Sequence, residues 1–151
     1  MLTEVRHIGI VVKNIENSLK FYRDLLGLQI QRAMNESGEY IDNMLGFKDV
    51  KVKTVKMSAP NGLTLVELLE FDVPKGSNLS RHVNDIGASH VAFTVSNIDE
   101  MYEKLKQSGI KFNAPPQLSP DGYAKVTFCF DPDGTPVELV QVLDANALLE
   151  K

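Results

Sequence analysis

Hydrophobic positions alternate with polar or small ones in two short stretches of the chain. In residues 5–13 a period of two puts His7, Gly9 and Val11 on one face and Ile8, Ile10 and Val12 on the other. In residues 89–96 it sets His90, Ala92 and Thr94 against Val91, Phe93 and Val95. The bulky apolar face of each predicted strand is expected to meet a helix, which leaves the histidine face lined by small side chains. An amphipathic stretch follows each strand: Leu19, Tyr22, Leu25 and Leu26 before Gly27, then Met101, Tyr102 and Leu105 before Gly109. Asn14 and Asn97 are suited to cap these helices, because a short side-chain acceptor satisfies an orphan first-turn amide. Glu100, three residues after Asn97, supplies the second half of a capping box, and Asn17 after Asn14 is a poorer version. Gly27 and Gly109 suit the left-handed position that closes a helix. Beyond them the pattern turns to strand, at 28–33 and 110–113.

The two stretches are copies of one another. His7-Ile8-Gly9-Ile10-Val11-Val12-Lys13-Asn14-Ile15-Glu16 matches His90-Val91-Ala92-Phe93-Thr94-Val95-Ser96-Asn97-Ile98-Asp99 in kind, 83 positions on from His7 to His90. A second pair follows. Ala59-Pro60-Asn61-Gly62 leads to Val66-Glu67-Leu68-Leu69, and Asp131-Pro132-Asp133-Gly134 leads to Val137-Glu138-Leu139-Val140. The turn glycines are 72 positions apart, Gly62 to Gly134, and the glutamates 71, Glu67 to Glu138, so the second copy has lost one residue. Four landmarks in the same order indicate a duplicated module of strand, helix and about three strands. The turn sequences are of the kind that join antiparallel strands. The expected architecture is α+β: two tandem βαβββ modules forming an open, cupped mixed sheet with flanking helices. Module 1 is placed at about 1–72, a linker at about 73–86, module 2 at about 87–144 and a short tail at 145–151. Residues 41–46 are read as a helical turn or a loop, 71–88 as the connection, and 144–151 as a short terminal helix.

Composition narrows the classes of function. The chain has 151 residues, 43% of them hydrophobic, which suits a single domain. A formal net charge of −4 gives no electrostatic footprint for nucleic acid. No apolar run approaches the length that crosses a bilayer. The N-terminus runs straight into a strand pattern, so no signal peptide is expected, and Cys129, the lone cysteine, allows no internal disulfide. Cytoplasmic residence is the expectation. Cys129 itself, between Phe128 and Phe130, reads as a small core residue.

The ionisable residues inside these strands carry the chemistry. Glu67 and Glu138 each stand in an apolar run, where a carboxylate is expensive unless paired or bound to a metal. A strand histidine taken singly is more often a hydrogen-bonded structural group than a ligand, and a strand glutamate usually faces solvent. Repetition changes that balance, since both histidines share one register and both glutamates follow the same turn. His7, Glu67, His90 and Glu138 are therefore the expected ligands of one divalent ion, converging if the modules pair about a pseudo-twofold axis. His82, beside Arg81 and without a repeat partner, reads as a surface residue. Glu70 falls on the opposite face from Glu67 and is a weak alternative ligand.

The pattern resembles the vicinal oxygen chelate superfamily, which includes glyoxalase I, methylmalonyl-CoA epimerase, extradiol dioxygenases, fosfomycin-resistance enzymes and bleomycin-resistance proteins. The matching pieces are His7-Ile8-Gly9-Ile10-Val11-Val12, Phe21-Tyr22-Arg23-Asp24-Leu25-Leu26-Gly27-Leu28, Ser89-His90-Val91-Ala92-Phe93 and Asp131-Pro132-Asp133-Gly134-Thr135-Pro136-Val137-Glu138-Leu139. The resemblance implies a metal-dependent lyase or isomerase of glyoxalase I type, moving a proton on a chelated α-oxygenated hemithioacetal or thioester. It also implies association as homodimers. Glutamate at position 67 is similar to glyoxalase I, whereas methylmalonyl-CoA epimerases usually place glutamine there. An acyl-CoA epimerase and a metal-free small-molecule binding protein of the bleomycin-resistance kind are the alternatives. Two imidazoles and two carboxylates suit Ni, Co, Zn, Mn or Fe and leave a divalent ion formally neutralised. Glu138 and Glu67 are the expected proton-transfer groups.

Overall fold

A computed structural model describes residues 1–77, 84, 86–87 and 89–143. It divides into two compact units, Met1–Leu79 and Ser80–Lys151, each carrying one copy of the repeat. The first contains β1 (His7–Val11), α1 (Ile15–Leu19), a π-helical continuation over Lys20–Leu25, β2 (Gln29–Ser37), α2 (Glu39–Leu45), β3 (Lys51–Ser58) and β4 (Leu65–Val73). Its strands lie in the order β1-β4-β3-β2, with β1 parallel to β4 and the other pairs antiparallel. The second contains β5 (Val91–Thr94), α3 (Ile98–Gln107), β6 (Gln117–Leu118), β7 (Ala124–Phe130) and β8 (Pro136–Val142), in the order β5-β8-β7-β6. Both units are thus βαβββ modules of the expected α+β class, each with its own open, four-stranded mixed sheet. Among the described residues no helix is long and apolar enough to cross a membrane.

The helix boundaries follow the caps. The Asn17 amide donates to Asn14 Oδ1 at 2.8 Å and the Glu100 amide to Asn97 Oδ1 at 3.1 Å. Glu100 completes its half of the box against the Asn97 side-chain amide, at 3.4 Å, rather than against the backbone. Gly27 and Gly109 both close their helices at φ 82°, a conformation that disfavours any residue with a Cβ. A further pair of caps comes from the sheets. The Ile15 amide donates to Glu70 Oε2 at 2.7 Å, and the Ile98 amide donates to Gln141 Oε1 at 2.9 Å. Glu70 and Gln141 are 71 positions apart, the same offset as Glu67 and Glu138, so this strand-to-helix brace is itself a repeated feature.

Each unit has an apolar core. Ile10, Val12, Ile15, Leu19, Phe21, Tyr22 and Leu68 are buried in the first, and Val91, Ile98, Leu105, Val137 and Leu139 in the second. Ile8, expected with Ile10 and Val12 against the helix, is instead 40% exposed. Cys129 is fully buried, and burial pushes its thiol up to about 12, consistent with an inert core residue.

Two further expectations are corrected by the structure and one open reading is decided. Residues 110–113 do not form a strand like β2; Phe112 makes one isolated bridge to Cys129, and pairing resumes only at Gln117–Leu118. Pro115 and Pro116, which lack a backbone donor, interrupt the ladder between them. Of the two readings of residues 41–46, the helical one holds: Glu39–Leu45 form α2, ended by Gly46 in the left-handed conformation. Residues 71–73 belong to β4 rather than to the connection. His82 and the terminal segment 144–151 lie outside the described residues.

The braces generate a prediction. Gln141→Ala and Glu70→Ala each remove the acceptor for an orphan helix amide, and each should lower stability by about 1 kcal/mol in urea unfolding. Wild-type midpoints in both variants would show that the contacts are incidental.

Candidate metal centre

In the first unit the parallel pairing of β1 with β4 sets His7 opposite Leu65 and Gly9 opposite Glu67. His7 and Glu67 therefore share one face, one diagonal step apart. Gly9 stands opposite Glu67 in that register, and a Cβ there would come within 3.3 Å of Leu69 Cδ1. His7 Nε2 lies 3.1 Å from Glu67 Oε2. Glu67 is buried, with 7% of its surface exposed, in the middle of the apolar run that the sequence displays. Its other oxygen, Oε1, lies 3.3 Å from Lys56 Nζ, because Lys56 stands directly opposite it in the antiparallel β3–β4 pair. Burial of the carboxylate is thus compensated at both oxygens.

The second unit repeats the pair. Ala92 stands opposite Glu138 in the parallel β5–β8 register, and His90 immediately precedes β5. His90 Nε2 lies 3.1 Å from Glu138 Oε2. The surroundings differ. Opposite Glu138 stands Phe128 rather than a lysine, and the His90 ring meets the Phe128 ring edge-on at 5.1 Å. The Glu138 side chain is 22% exposed against 9% for Glu67. Ser89 Oγ lies 2.6 Å from His90 Nδ1 and so can fix the ring with Nε2 turned to the carboxylate.

Each pair fits a divalent ion. Two donors about 2.1 Å from one ion stand about 3.0 Å apart at right angles and about 3.4 Å apart at a tetrahedral angle. The nitrogen-to-oxygen separation of 3.1 Å in both pairs falls within that range. Among the described residues, His, Cys, Asp and Glu side chains do not gather in threes or more. The four expected ligands come together as two pairs, each inside its own unit. Glu70, the weak alternative, faces the helix side and braces α1. Lys56, Phe128 and Ser89 were not legible as site residues. Their link to the glutamates and histidine depends on strand register, although Ser89 does adjoin His90 in sequence.

Comparison with known proteins places the chain in a family. The family model described as "Glyoxalase/Bleomycin resistance protein/Dioxygenase superfamily" matches residues 4–139. The Bacillus subtilis "Uncharacterized protein YwkD" is 30% identical over 93% of this chain and 98% of its own. A "Probable lactoylglutathione lyase" of Synechocystis is 27% identical over 89% of this chain and 92% of its own. The crystal structure of a glyoxalase family protein from Bacillus cereus superposes with a TM-score of 0.85 at 24% identity, covering 95% of this chain and 97% of that one. The chain belongs to the glyoxalase/bleomycin resistance protein/dioxygenase superfamily.

The paired donors carry a test that needs no substrate. His7→Ala and His90→Ala should each lower divalent-ion occupancy on the order of tenfold or more, read by metal analysis after dialysis against a fixed free-ion level. Parental occupancy in both variants would remove these histidines from the ligand set.

Proposed function

We propose that the chain is a metal-dependent lyase or isomerase of glyoxalase I type, in which His7, Glu67, His90 and Glu138 serve one divalent ion. The observation that carries this reading is the repeated pair: an imidazole nitrogen 3.1 Å from a carboxylate oxygen, at the same place in both modules. The resemblance to lactoylglutathione lyases agrees with it. Held by these residues, a divalent ion would supply Lewis-acid polarisation of vicinal substrate oxygens and so acidify the neighbouring C–H. The substrate class is an α-oxygenated thiol adduct or thioester, and the assembly is a homodimer in which exposed Ile8 and Val11 on β1 are available for contact.

The protein's own groups divide the remaining work unequally. Glu67 is buried and held at both oxygens, by His7 and Lys56, which suits a carboxylate that stays in place. Glu138 is more exposed, and among the described residues its Oε1 has no hydrogen-bond or ion-pair partner. Glu138 is thus the better proton carrier, taking a proton from one substrate carbon and returning it to the adjacent one. His90, steadied by Ser89 and Phe128, holds its other oxygen. Glu67 is the second, less mobile candidate for the same transfer.

Replacing either glutamate by glutamine keeps shape and an oxygen donor while removing the basic carboxylate. At saturating metal, Glu138→Gln should remain on the order of 10²–10⁴-fold slower in hemithioacetal isomerisation. Glu67→Gln should recover substantially as metal is raised. A metallated, active Glu138→Gln protein would exclude proton transfer by that residue. Thioester proton exchange without hemithioacetal turnover would instead select the acyl-CoA epimerase alternative. Absence of metal uptake by the wild-type chain would select the binding-protein alternative.

A further inference from the structure

The face of the first sheet that carries His7 and Glu67 also carries a row of cations. Register fixes it strand by strand: Gly9 on β1 opposes Glu67 on β4, Glu67 opposes Lys56 on β3, and Lys56 opposes Arg32 on β2. Directly opposed residues in a sheet share a face, so Glu67, Lys56 and Arg32 form one cross-strand line. At about 4.8 Å per strand, the line runs about 10 Å from the glutamate to the arginine. A shift in register between Ile30 and Arg32 sets Arg32 opposite Lys56. Arg32 is exposed and has no hydrogen-bond or ion-pair partner among the described residues. Glu36, the acidic residue of β2 two steps along the same face, accepts a hydrogen bond from Thr54 Oγ1 at 3.2 Å. The equivalent row of the second sheet runs from Ala92 through Glu138 to Phe128 and holds no cation.

We infer that Lys56 and Arg32 form an anion subsite beside the His7–Glu67 pair, and that the substrate is a vicinal-oxygen chelator bearing a carboxylate or phosphate group. The inference rests on the metal-dependent reading above and adds a substrate class to it. Two carboxylates cancel the two charges of a divalent ion, so Lys56 and Arg32 remain as uncompensated positive charge on one side of the chelating group. Lys56 shares Glu67 with the ion, while Arg32 is unengaged and offers the planar fork that matches an oxyanion. The charge is one-sided because Phe128 replaces the lysine in the second module. A substrate with an anionic tail is therefore bound in one orientation, its tail over β3 and β2.

The test uses the full chain loaded with zinc and three chelating probes, followed by calorimetry. Acetohydroxamate carries no tail, succinohydroxamate a carboxylate and phosphonoacetohydroxamate a phosphonate. At least one anionic probe should bind the wild-type protein tenfold or more tighter than acetohydroxamate, and the tighter of the two identifies the oxyanion preferred. Arg32→Gln, at an exposed and unengaged position, should remove most of that advantage and leave acetohydroxamate affinity within about twofold. Lys56→Gln should weaken the same probes again. Equal affinity of all three probes for the metallated wild type, or an advantage that survives Arg32→Gln, would overturn the subsite while leaving the metal reading intact. Failure of the wild type to take up zinc would overturn the metal reading, and the subsite with it.

Discussion

A buried carboxylate in the middle of a strand, Glu67, is the constraint around which the first module is arranged. An uncompensated carboxylate at Glu67 would cost several kcal/mol. Compensation comes from two directions, His7 on β1 and Lys56 on β3, and both depend on β4 lying between those strands. Placing β1 parallel to β4 requires a crossover, which the first helix supplies. That helix is in turn tied to β4 by Glu70, three residues beyond Glu67. The same strand therefore presents a site carboxylate on one face and a helix brace on the other.

Duplication gives the second module the same scaffold, and the difference between the copies is informative. Gln141 braces α3 as Glu70 braces α1, and His90 meets Glu138 at the same 3.1 Å as His7 meets Glu67. The position opposite the glutamate has diverged from lysine to phenylalanine. One carboxylate is consequently clamped and buried, and the other is half-open beside an aromatic ring. Inequality of this kind is what a proton-transfer site needs if one ligand is to stay and the other is to move. It also revises the count of charge made from the four proposed ligands alone, because Lys56 adds a positive charge that the proposed set does not balance.

The repeat, the paired histidines and glutamates, the asparagine caps and the closing glycines were legible because each is a local signal repeated at a fixed offset. Lys56 was not, since its role depends on which residue of β3 falls opposite Glu67. The residue lost in the second copy shifts that correspondence, so Phe128 lies 72 positions from Lys56 whereas Glu138 lies 71 from Glu67. Residues 110–113 misled because their apolar alternation is strand-like, while Pro115 and Pro116 deny the following positions their ladder donors. Glu70 was correctly assigned to the far face by its spacing from Glu67. Its actual work, capping a helix 55 residues earlier, is a tertiary contact that no local pattern announces.

The central claim is that both histidine–glutamate pairs serve a single ion. X-ray absorption of the protein loaded with one equivalent of zinc counts the imidazoles bound to each ion. The account predicts two imidazoles per zinc, falling to one in His90→Ala. One imidazole per zinc in the wild-type protein, with a second equivalent of metal binding equally well, would show that each module holds its own ion and would contradict the shared site.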